Sequence, residues 1–370
     1  MTQKQQQSLG PNNIHSVPSL GTTSRTLIFP ILFLLVAVIG LFYVKWNPYY
    51  AKAFTAATTH SIGASIISGK AAVAPAPSWE SAIGYATDYF RSVWKAVLLG
   101  LLLGSLVQVL IPIGWVQKCL GQKSFKSTAL ATATALPGMM CSCCAAPVTV
   151  GLRTQSASVG SALAFFLANP VLNPATIIFM GFVLSWKFAL FRLIGGIILI
   201  LAVGTIANRV HTELPNNGSL RTVDFKAEEH PSSLELKSLF DHWMKALWKL
   251  IIDTIPAYLI VVLLLGSLRA WLFPAIDPET SNGILTLVGL AVAGTLFVIP
   301  TAAEIPIVQT MMAFGLGTGP AVTLMMTLPA VSLPSLLIVK RAFPKKVLAF
   351  TIAAVAFIGV VSGLVAKIIL

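Results

Sequence analysis

The chain has 370 residues, of which 56% are hydrophobic and only 10% are charged, and its mean hydropathy is +0.84. Because soluble domains carry about 25% charged residues, this composition excludes an ordinary soluble protein and indicates an integral membrane protein. The net charge of +13 comes from lysines and arginines that lie singly or in small groups beside apolar runs. Such residues are typical orientation signals, so we expect no binding to nucleic acid.

Long uncharged runs follow one another along the chain, and most reach the roughly 20 residues that cross a bilayer as a helix. They predict an all-α fold, a polytopic membrane helix bundle. The first run, over 26–44, is longer than the core of a signal peptide and has no clear cleavage site, so we expect Leu27–Val44 to be a retained anchor helix. The uncharged runs cover 26–44, 96–117, 127–152, 154–186, 193–208, 254–268, 280–303, 305–339 and 347–366.

Two parts of the chain resemble each other. The segment LLLGSLVQVLIP at 101–112 returns as LLLGSLRAWLFP at 263–274. Three later residues recur in the same register: Pro147, Gly160 and Pro170 match Pro306, Gly319 and Pro329. Internal repeats are typical of secondary transporters. The pattern predicts a tail, anchor helix and loop over 1–79, a first membrane repeat over 80–209, a hydrophilic linker over 210–243 and a second membrane repeat over 244–370.

The charges after the repeated segment indicate that the repeats are inverted. The first copy is followed by Lys118, Lys123 and Lys126, and the second by Asp277 and Glu279. Lysine-rich loops prefer the cytoplasm, so we expect the two loops on opposite sides of the membrane. This requires an odd number of crossings in each repeat, about five if the short segments near 144–153 and 305–314 are counted. Lys187 and Arg192 then fall on the wrong side.

Proline-interrupted segments occupy corresponding places in the two repeats, FFLANPVLNPATII at 165–178 and LMMTLPAVSLPSLLI at 324–338. Each predicts a helix that breaks near its proline, Pro170 or Pro329, and leaves backbone groups to be satisfied by protein or by a cavity. The alternative is a pair of simple proline kinks. Asn169 and Asn173 lie in the first segment, where they either line a pathway or hold helices together.

Three of the four cysteines, Cys141, Cys143 and Cys144, follow Pro137-Gly138, where a helix is expected to break. Thiolates are soft ligands, suited to soft metal ions or a trivalent metalloid. A structural zinc site takes four ligands from two separated pairs, and the sequence offers no second pair, so we expect neither a resident metal nor a cofactor. The alternative is that the thiols are small buried residues in tight packing.

Glu304 is the only charged residue between Glu279 and Lys340. In the repeat alignment it matches Ala145, beside the thiols. An ionisable group at membrane depth is costly and indicates a function, with proton or cation coupling as the obvious role. The alternative is a carboxylate at the mouth of a re-entrant loop, either solvated or paired with Arg153.

The segment CSCCAAPVTVGLRTQSASVGSALAFFLANPVLNP resembles the predicted permease family that includes ArsP-type organoarsenical exporters and YraQ-like proteins. The resemblance implies a multi-pass permease of the bacterial inner membrane, and some relatives export trivalent arsenicals. It marks Cys141 and Cys143 as the thiol pair, with Pro147, Gly151 and Arg153 as framework. Cys144 stands where many relatives carry a small residue. The repeat adds Pro170, Pro306 and Pro329 to the framework.

These observations favour a secondary-type permease, not an enzyme, that moves a small thiophilic solute outward, such as a trivalent organoarsenical. The predicted solute-binding residues are Cys141, Cys143, Cys144, Asn169 and Asn173, and the predicted coupling residue is Glu304. The expected partners are the lipid bilayer, the solute, and a partner subunit or a second copy of the chain. One alternative is a membrane thiol–disulfide redox protein that uses Cys141 and Cys144. Another is a membrane subunit of a multi-component permease.

Overall fold

The computed structural model describes residues 22–71, 73–210, 236–274 and 283–370. Over these ranges the chain forms helices joined by turns, with no strand. The helices are α1 (Thr22–Leu41), α2 (Asn47–Thr59), α3 (Trp79–Leu110), α4 (Ile113–Leu120), α5 (Phe125–Ala135), α6 (Ser142–Thr154), α7 (Val159–Val171), α8 (Pro174–Val183), α9 (Trp186–Val210), α10 (Leu236–Leu272), α11 (Ile284–Leu296), α12 (Glu304–Ala313), α13 (Thr318–Ala330), α14 (Leu333–Val339) and α15 (Lys345–Ile369).

Within the described ranges, seven helical segments are long and apolar enough to cross a bilayer. They are Ile28–Thr59, Trp79–Leu110, Val159–Val183, Trp186–Val210, Ser238–Leu272, Thr318–Val339 and Lys345–Ile369. The predicted polytopic all-α bundle is therefore confirmed. The first segment is longer than its apolar run predicted, because a π-helical turn over Phe42–Trp46 joins α1 to α2. Most of the predicted 210–243 linker lies outside the described residues, and its last part begins α10.

The helices that carry the repeated segment, α3 and α10, pack side by side and antiparallel. Near the C-terminus of α3, Ser105 accepts a hydrogen bond from the indole of Trp243, which lies early in α10, at 3.0 Å. Near the N-terminus of α3, Ser81 accepts one from Arg269, late in α10, at 3.2 Å. Corresponding helices therefore run in opposite directions, which is consistent with inverted repeats. The division into repeats stays a prediction, and Asp277 and Glu279 lie outside the described residues.

Two helices, α6 and α12, reach only part of the way through the bundle and enter it from opposite ends. The α6 C-terminus lies at the end of the bundle that holds α4, where Gln155 donates to the Gln108 carbonyl at 2.6 Å. The α12 C-terminus lies at the other end, where Gln309 donates to the His60 carbonyl at 2.9 Å. The repeat pattern predicted that these segments cross the bundle, but they turn back inside it. Their N-termini meet near the middle, where Ser142 and Glu304 line one cavity.

Both proline-containing helices are broken, as the sequence predicts, but the break follows the proline. Pro170 and Pro329 lie in the last turns of α7 and α13. The breaks fall between α7 and α8 and between α13 and α14, where Asn173 and Ser332 cap the second helix of each pair. An internal proline removes one helical hydrogen bond, and the chain leaves the helix within the next few residues.

Helix α3 approaches the backbone of α6 closely because it carries glycine at the crossing. A Cβ atom on Gly100 would lie 2.5 Å from the Cys144 carbonyl oxygen, and one on Gly104 would lie 2.6 Å from the carbonyl carbon of Pro147. From the other side, a Cβ on Gly151 would lie 2.7 Å from the Gly104 carbonyl oxygen. Small residues at helix crossings are typical of membrane proteins, and here they fix the depth of the thiols.

We therefore expect Gly100→Ala to displace the first turn of α6 and to lower the free energy of unfolding by about 1–3 kcal/mol, the usual effect of overpacking. Gly84→Ala is the matched control on the same helix, since a Cβ there meets nothing within 4 Å. Apparent melting temperatures of the two variants in detergent measure the difference. Equal stability of the two variants would contradict the close packing of α3 on α6.

Candidate functional site

The three neighbouring thiols lie at the N-terminus of α6, where the chain leaves the break at Pro137-Gly138 as predicted. Cys141 is the N-cap residue, and Cys143 and Cys144 lie in the first turn. The sulfur atoms of Cys141 and Cys144 are 3.0 Å apart, all three side chains are buried, and none forms a disulfide. The half-helix therefore presents its thiols inside the bundle.

Ser332, the cap of α14, connects the cysteine-containing turn at 141–144, here called the thiol turn, to the second half of the chain. Its hydroxyl lies 3.1 Å from the hydroxyl of Ser142 and 3.4 Å from the sulfur of Cys143. Ser332 and Asn173 occupy the same place in the predicted repeat alignment, and each caps the helix after a break. The thiols thus lie where the two halves meet.

A small cavity of about 10 Å³ adjoins the Cys141 thiol. Its polar and proline lining includes Cys141, Ser142 and Pro170 from the first half and Thr301, Glu304 and Pro329 from the second. This volume is room for roughly one water molecule. Any solute larger than this therefore requires the helices around the cavity to separate.

Glu304, the first residue of α12, forms a buried ion pair with Arg192 at 3.2 Å. The expected alternative, a pair with Arg153, is wrong, because Arg153 lies at the other end of α6 and donates to the carbonyls of Ala342 and Ala157. The second carboxylate oxygen of Glu304 is buried and has no hydrogen-bond partner among the described residues. Glu304 also lines the cavity.

Arg192 holds both broken helices and is a site residue that the sequence reasoning missed. It donates to the carbonyls of Pro170 and Val171 at the end of α7, each at 2.8 Å, and to the carbonyl of Met325 in α13 at 2.6 Å. Its side chain is fully buried. Arg192 therefore lies inside the bundle and not in a loop on the wrong side of the membrane, as the repeat orientation had implied. The only sequence signal for this role was the position of Arg192 directly before the uncharged run over 193–208.

The two asparagines near the first break act on the backbone. Asn173 accepts hydrogen bonds from the amides of Ala175 and Thr176 at 3.1 and 3.3 Å, which caps α8. Asn169 donates to the Phe165 carbonyl at 3.0 Å. Each keeps one buried amide atom, Oδ1 of Asn169 and Nδ2 of Asn173, without a partner in the described chain. Neither asparagine is among the residues that line the cavity, so their predicted contact with the solute stays a prediction.

Lys45 is a second residue that the sequence reasoning missed. It lies in the π-helical turn between α1 and α2 and is 5% exposed. Its ammonium donates to the hydroxyls of Thr301 at 3.1 Å and Tyr49 at 3.2 Å, and Thr301 lines the cavity together with Cys141. The N-terminal helix therefore places a buried cation against a residue of the cavity wall.

Comparison with known proteins identifies relatives along most of the chain. The model of a family described as predicted permease, ArsP_1, matches residues 93–368. The protein is 53% identical to the UPF0718 protein YraQ of Escherichia coli over 334 residues, which are 90% of this chain and 93% of the relative. It is 20% identical to the UPF0718 protein MJ0584 of Methanocaldococcus jannaschii, over 74% of this chain and 92% of the relative.

No solved structure gives a significant match to the chain. Permeases are transport proteins and not enzymes, and the seven apolar helices agree with a multi-pass membrane protein. The extent of the family match and the identity to YraQ confirm the resemblance seen in the cysteine segment. The chain therefore belongs to the predicted permease family.

Proposed function

We propose that this permease is a secondary-type exporter of a small thiophilic solute, such as a trivalent organoarsenical. The observation that carries the proposal is the placement of Cys141, Cys143 and Cys144 at the junction of the two halves, beside a small cavity. Thiolates bind soft atoms and exchange them rapidly, and transporter sites lie where broken helices of two repeats meet. The solute passes from thiol to solvent as the halves move.

The Arg192–Glu304 pair supports coupling of this movement to protons. Arg192 binds the carbonyls of both broken helices, and Glu304 is the one carboxyl group among the described residues that line the cavity. Protonation of Glu304 removes one charge of a buried pair, which changes the energy balance between packed and separated halves. The carboxylate therefore serves as the coupling residue.

The distribution of basic residues supports a location in the bacterial inner membrane with the α4 end in the cytoplasm. That end carries Lys118, Lys123 and Lys126, and Arg153 connects it to the turn before α15 through the Ala342 carbonyl. The turn adds Lys340 and Arg341, and the first turn of α15 adds Lys345 and Lys346. Lysines and arginines concentrate on the cytoplasmic side, so the proposed orientation has the α12 C-terminus outside.

The test is uptake of methylarsenite into everted membrane vesicles, in which export appears as accumulation. We expect accumulation above that of vesicles without the protein, and we expect an imposed proton gradient to increase it. Vesicles containing Gly84→Ala, a variant with an open position on α3, control for expression of a near-native protein. Accumulation equal to that of empty vesicles would exclude methylarsenite as the solute.

A second candidate function is membrane thiol–disulfide exchange, and the 3.0 Å separation of the Cys141 and Cys144 sulfurs favours it. A disulfide requires the sulfurs to approach to about 2.05 Å. We expect mild oxidation of membranes to link these two residues and to leave Cys143 free, as differential alkylation and mass spectrometry would show. A redox function further requires that the linked form occurs in cells; a thiol state unchanged by oxidant would eliminate it.

A further inference from the structure

The three cysteines of the thiol turn do not share one face of α6. Cys141 caps the helix and Cys144 follows three residues later, a spacing that brings two side chains together on a helix. Cys143 is two residues from Cys141, and side chains at that spacing do not face each other. The sulfurs of Cys141 and Cys144 are accordingly 3.0 Å apart. The start of α6 therefore divides the cysteines into a pair and a single thiol.

The single thiol, Cys143, faces the second half of the chain. Its sulfur lies 3.4 Å from the hydroxyl of Ser332, the residue that caps α14. The hydroxyl of the neighbouring Ser142 lies 3.1 Å from the same oxygen. Within the described part of the chain, no three His, Cys, Asp or Glu side chains come together in a group that could hold a metal ion. Cys143 therefore belongs to the contact between the halves and not to a three-thiol site.

The pair, Cys141 and Cys144, has the geometry of a chelate for one soft atom. A bond from a thiolate to a zinc ion is about 2.3 Å long, so one such atom bridges two sulfurs that are up to about 4.6 Å apart. The two sulfurs lie well within this limit. Of the three thiols, Cys141 lines the cavity. A solute in the cavity therefore meets Cys141 first and Cys144 second.

We propose that Cys141 and Cys144 bind the same atom of the solute and that Cys143 positions them. This inference rests on the proposed export of a thiophilic solute and narrows its class to solutes whose soft atom carries two exchangeable groups. A trivalent arsenical with two hydroxyls belongs to this class, and one with a single hydroxyl does not. The pair differs from Cys141 and Cys143, which the family resemblance marks, because Cys144 replaces Cys143 as the second ligand.

Both binding steps balance without an oxidant or a reductant. The sulfur of Cys141 forms a bond to arsenic as one arsenic–oxygen bond breaks, and the thiol proton leaves with that hydroxyl as water. The sulfur of Cys144 then repeats the exchange at the second hydroxyl of the same arsenic atom. Arsenic stays trivalent throughout. Release of the solute consumes two waters in the reverse steps and restores both thiols.

The test compares two arsenicals that differ in one group. Phenylarsine oxide carries two exchangeable hydroxyls when hydrated, and methylphenylarsinous acid carries one, because a methyl group replaces the other. Each is titrated against the purified, reduced full-length protein, and protection of each cysteine from alkylation is read by mass spectrometry. We expect phenylarsine oxide to protect Cys141 and Cys144 together and to bind about a hundredfold more tightly, since its second bond forms within one complex. The exposed Cys119 is an internal reference thiol.

Single serine variants assign the pair through the ratio of the two affinities, in which general effects on folding cancel. Cys144→Ser is expected to bring the ratio close to one, because each arsenical then forms one bond to sulfur. Cys143→Ser, the matched variant one residue away, is expected to keep the ratio of wild type, because both ligands remain. Loss of the ratio in Cys143→Ser but not in Cys144→Ser would overturn the proposal, and so would equal affinities in wild type.

Binding and transport together distinguish this proposal from the export function on which it rests. Tighter binding of phenylarsine oxide through Cys141 and Cys144, without accumulation of methylarsenite in everted vesicles, would leave the chelate in place and contradict export of methylarsenite. Accumulation in vesicles together with equal affinities for the two arsenicals would leave the export function in place and contradict the chelate.

Discussion

Replacing Cys141 and Cys143 by serine is expected to abolish methylarsenite accumulation in everted vesicles while the protein remains folded in the membrane. Serine is close to cysteine in size, and both positions are buried among polar neighbours, with Ser332 at 3.4 Å from the sulfur of Cys143. The substitution therefore preserves packing but removes the soft ligands. We expect transport to fall to the level of empty vesicles, measured at equal protein content.

Cys119→Ser is the matched control, because Cys119 is exposed, lies in α4, and is remote from the thiol turn in sequence. We expect it to transport like wild type. Single variants separate the contributions of the individual thiols. Cys144→Ser is expected to reduce the affinity for phenylarsine oxide, since the sulfur of Cys144 lies 3.0 Å from that of Cys141. Full transport by the Cys141→Ser/Cys143→Ser variant would refute the thiol mechanism and leave only the permease fold.

The membrane helices and the thiol turn were accessible from the sequence because each depends on local signals. Uncharged runs of sufficient length predict helices that cross a bilayer, and Pro137-Gly138 marked the end of one helix before the cysteines. The structure shows the corresponding turn, with Met139 in the left-handed region at φ 47° before α6 begins. Proline-rich segments likewise predicted both helix breaks. Those patterns require no knowledge of which helices touch.

The partners of buried charges were not accessible, because they depend on tertiary contacts. Lys45 and Arg192 looked like the flanking charges that orient membrane helices. The structure buries both, one against Thr301 and the other against Glu304, each more than a hundred positions away in the chain. The hydrophobic pattern of a sequence does not show how deeply a single charged side chain at the end of an apolar run is buried. The sequence therefore located the acid and the thiols but not the cations beside them.

Breaking the Arg192–Glu304 ion pair is expected to lower the free energy of unfolding strongly, the second largest effect that we expect of a substitution. Arg192→Met leaves a buried carboxylate without its partner and frees the carbonyls of Pro170, Val171 and Met325. Removing one member of a buried pair lowers the free energy of unfolding by about 3–5 kcal/mol. Glu304→Gln is expected to be milder, because Arg192 retains those three carbonyl acceptors. Apparent melting temperatures in detergent measure both variants.

The double variant Arg192→Met/Glu304→Gln provides the decisive comparison. If the two side chains stabilise each other as an ion pair, the double variant is more stable than Arg192→Met alone, since no buried charge is left unpaired. For transport, Glu304→Gln is expected to keep phenylarsine oxide binding at the thiols and to lose the response of accumulation to a proton gradient. A gradient response equal to that of wild type would remove Glu304 from coupling and leave the pair as a structural connection between the two broken helices.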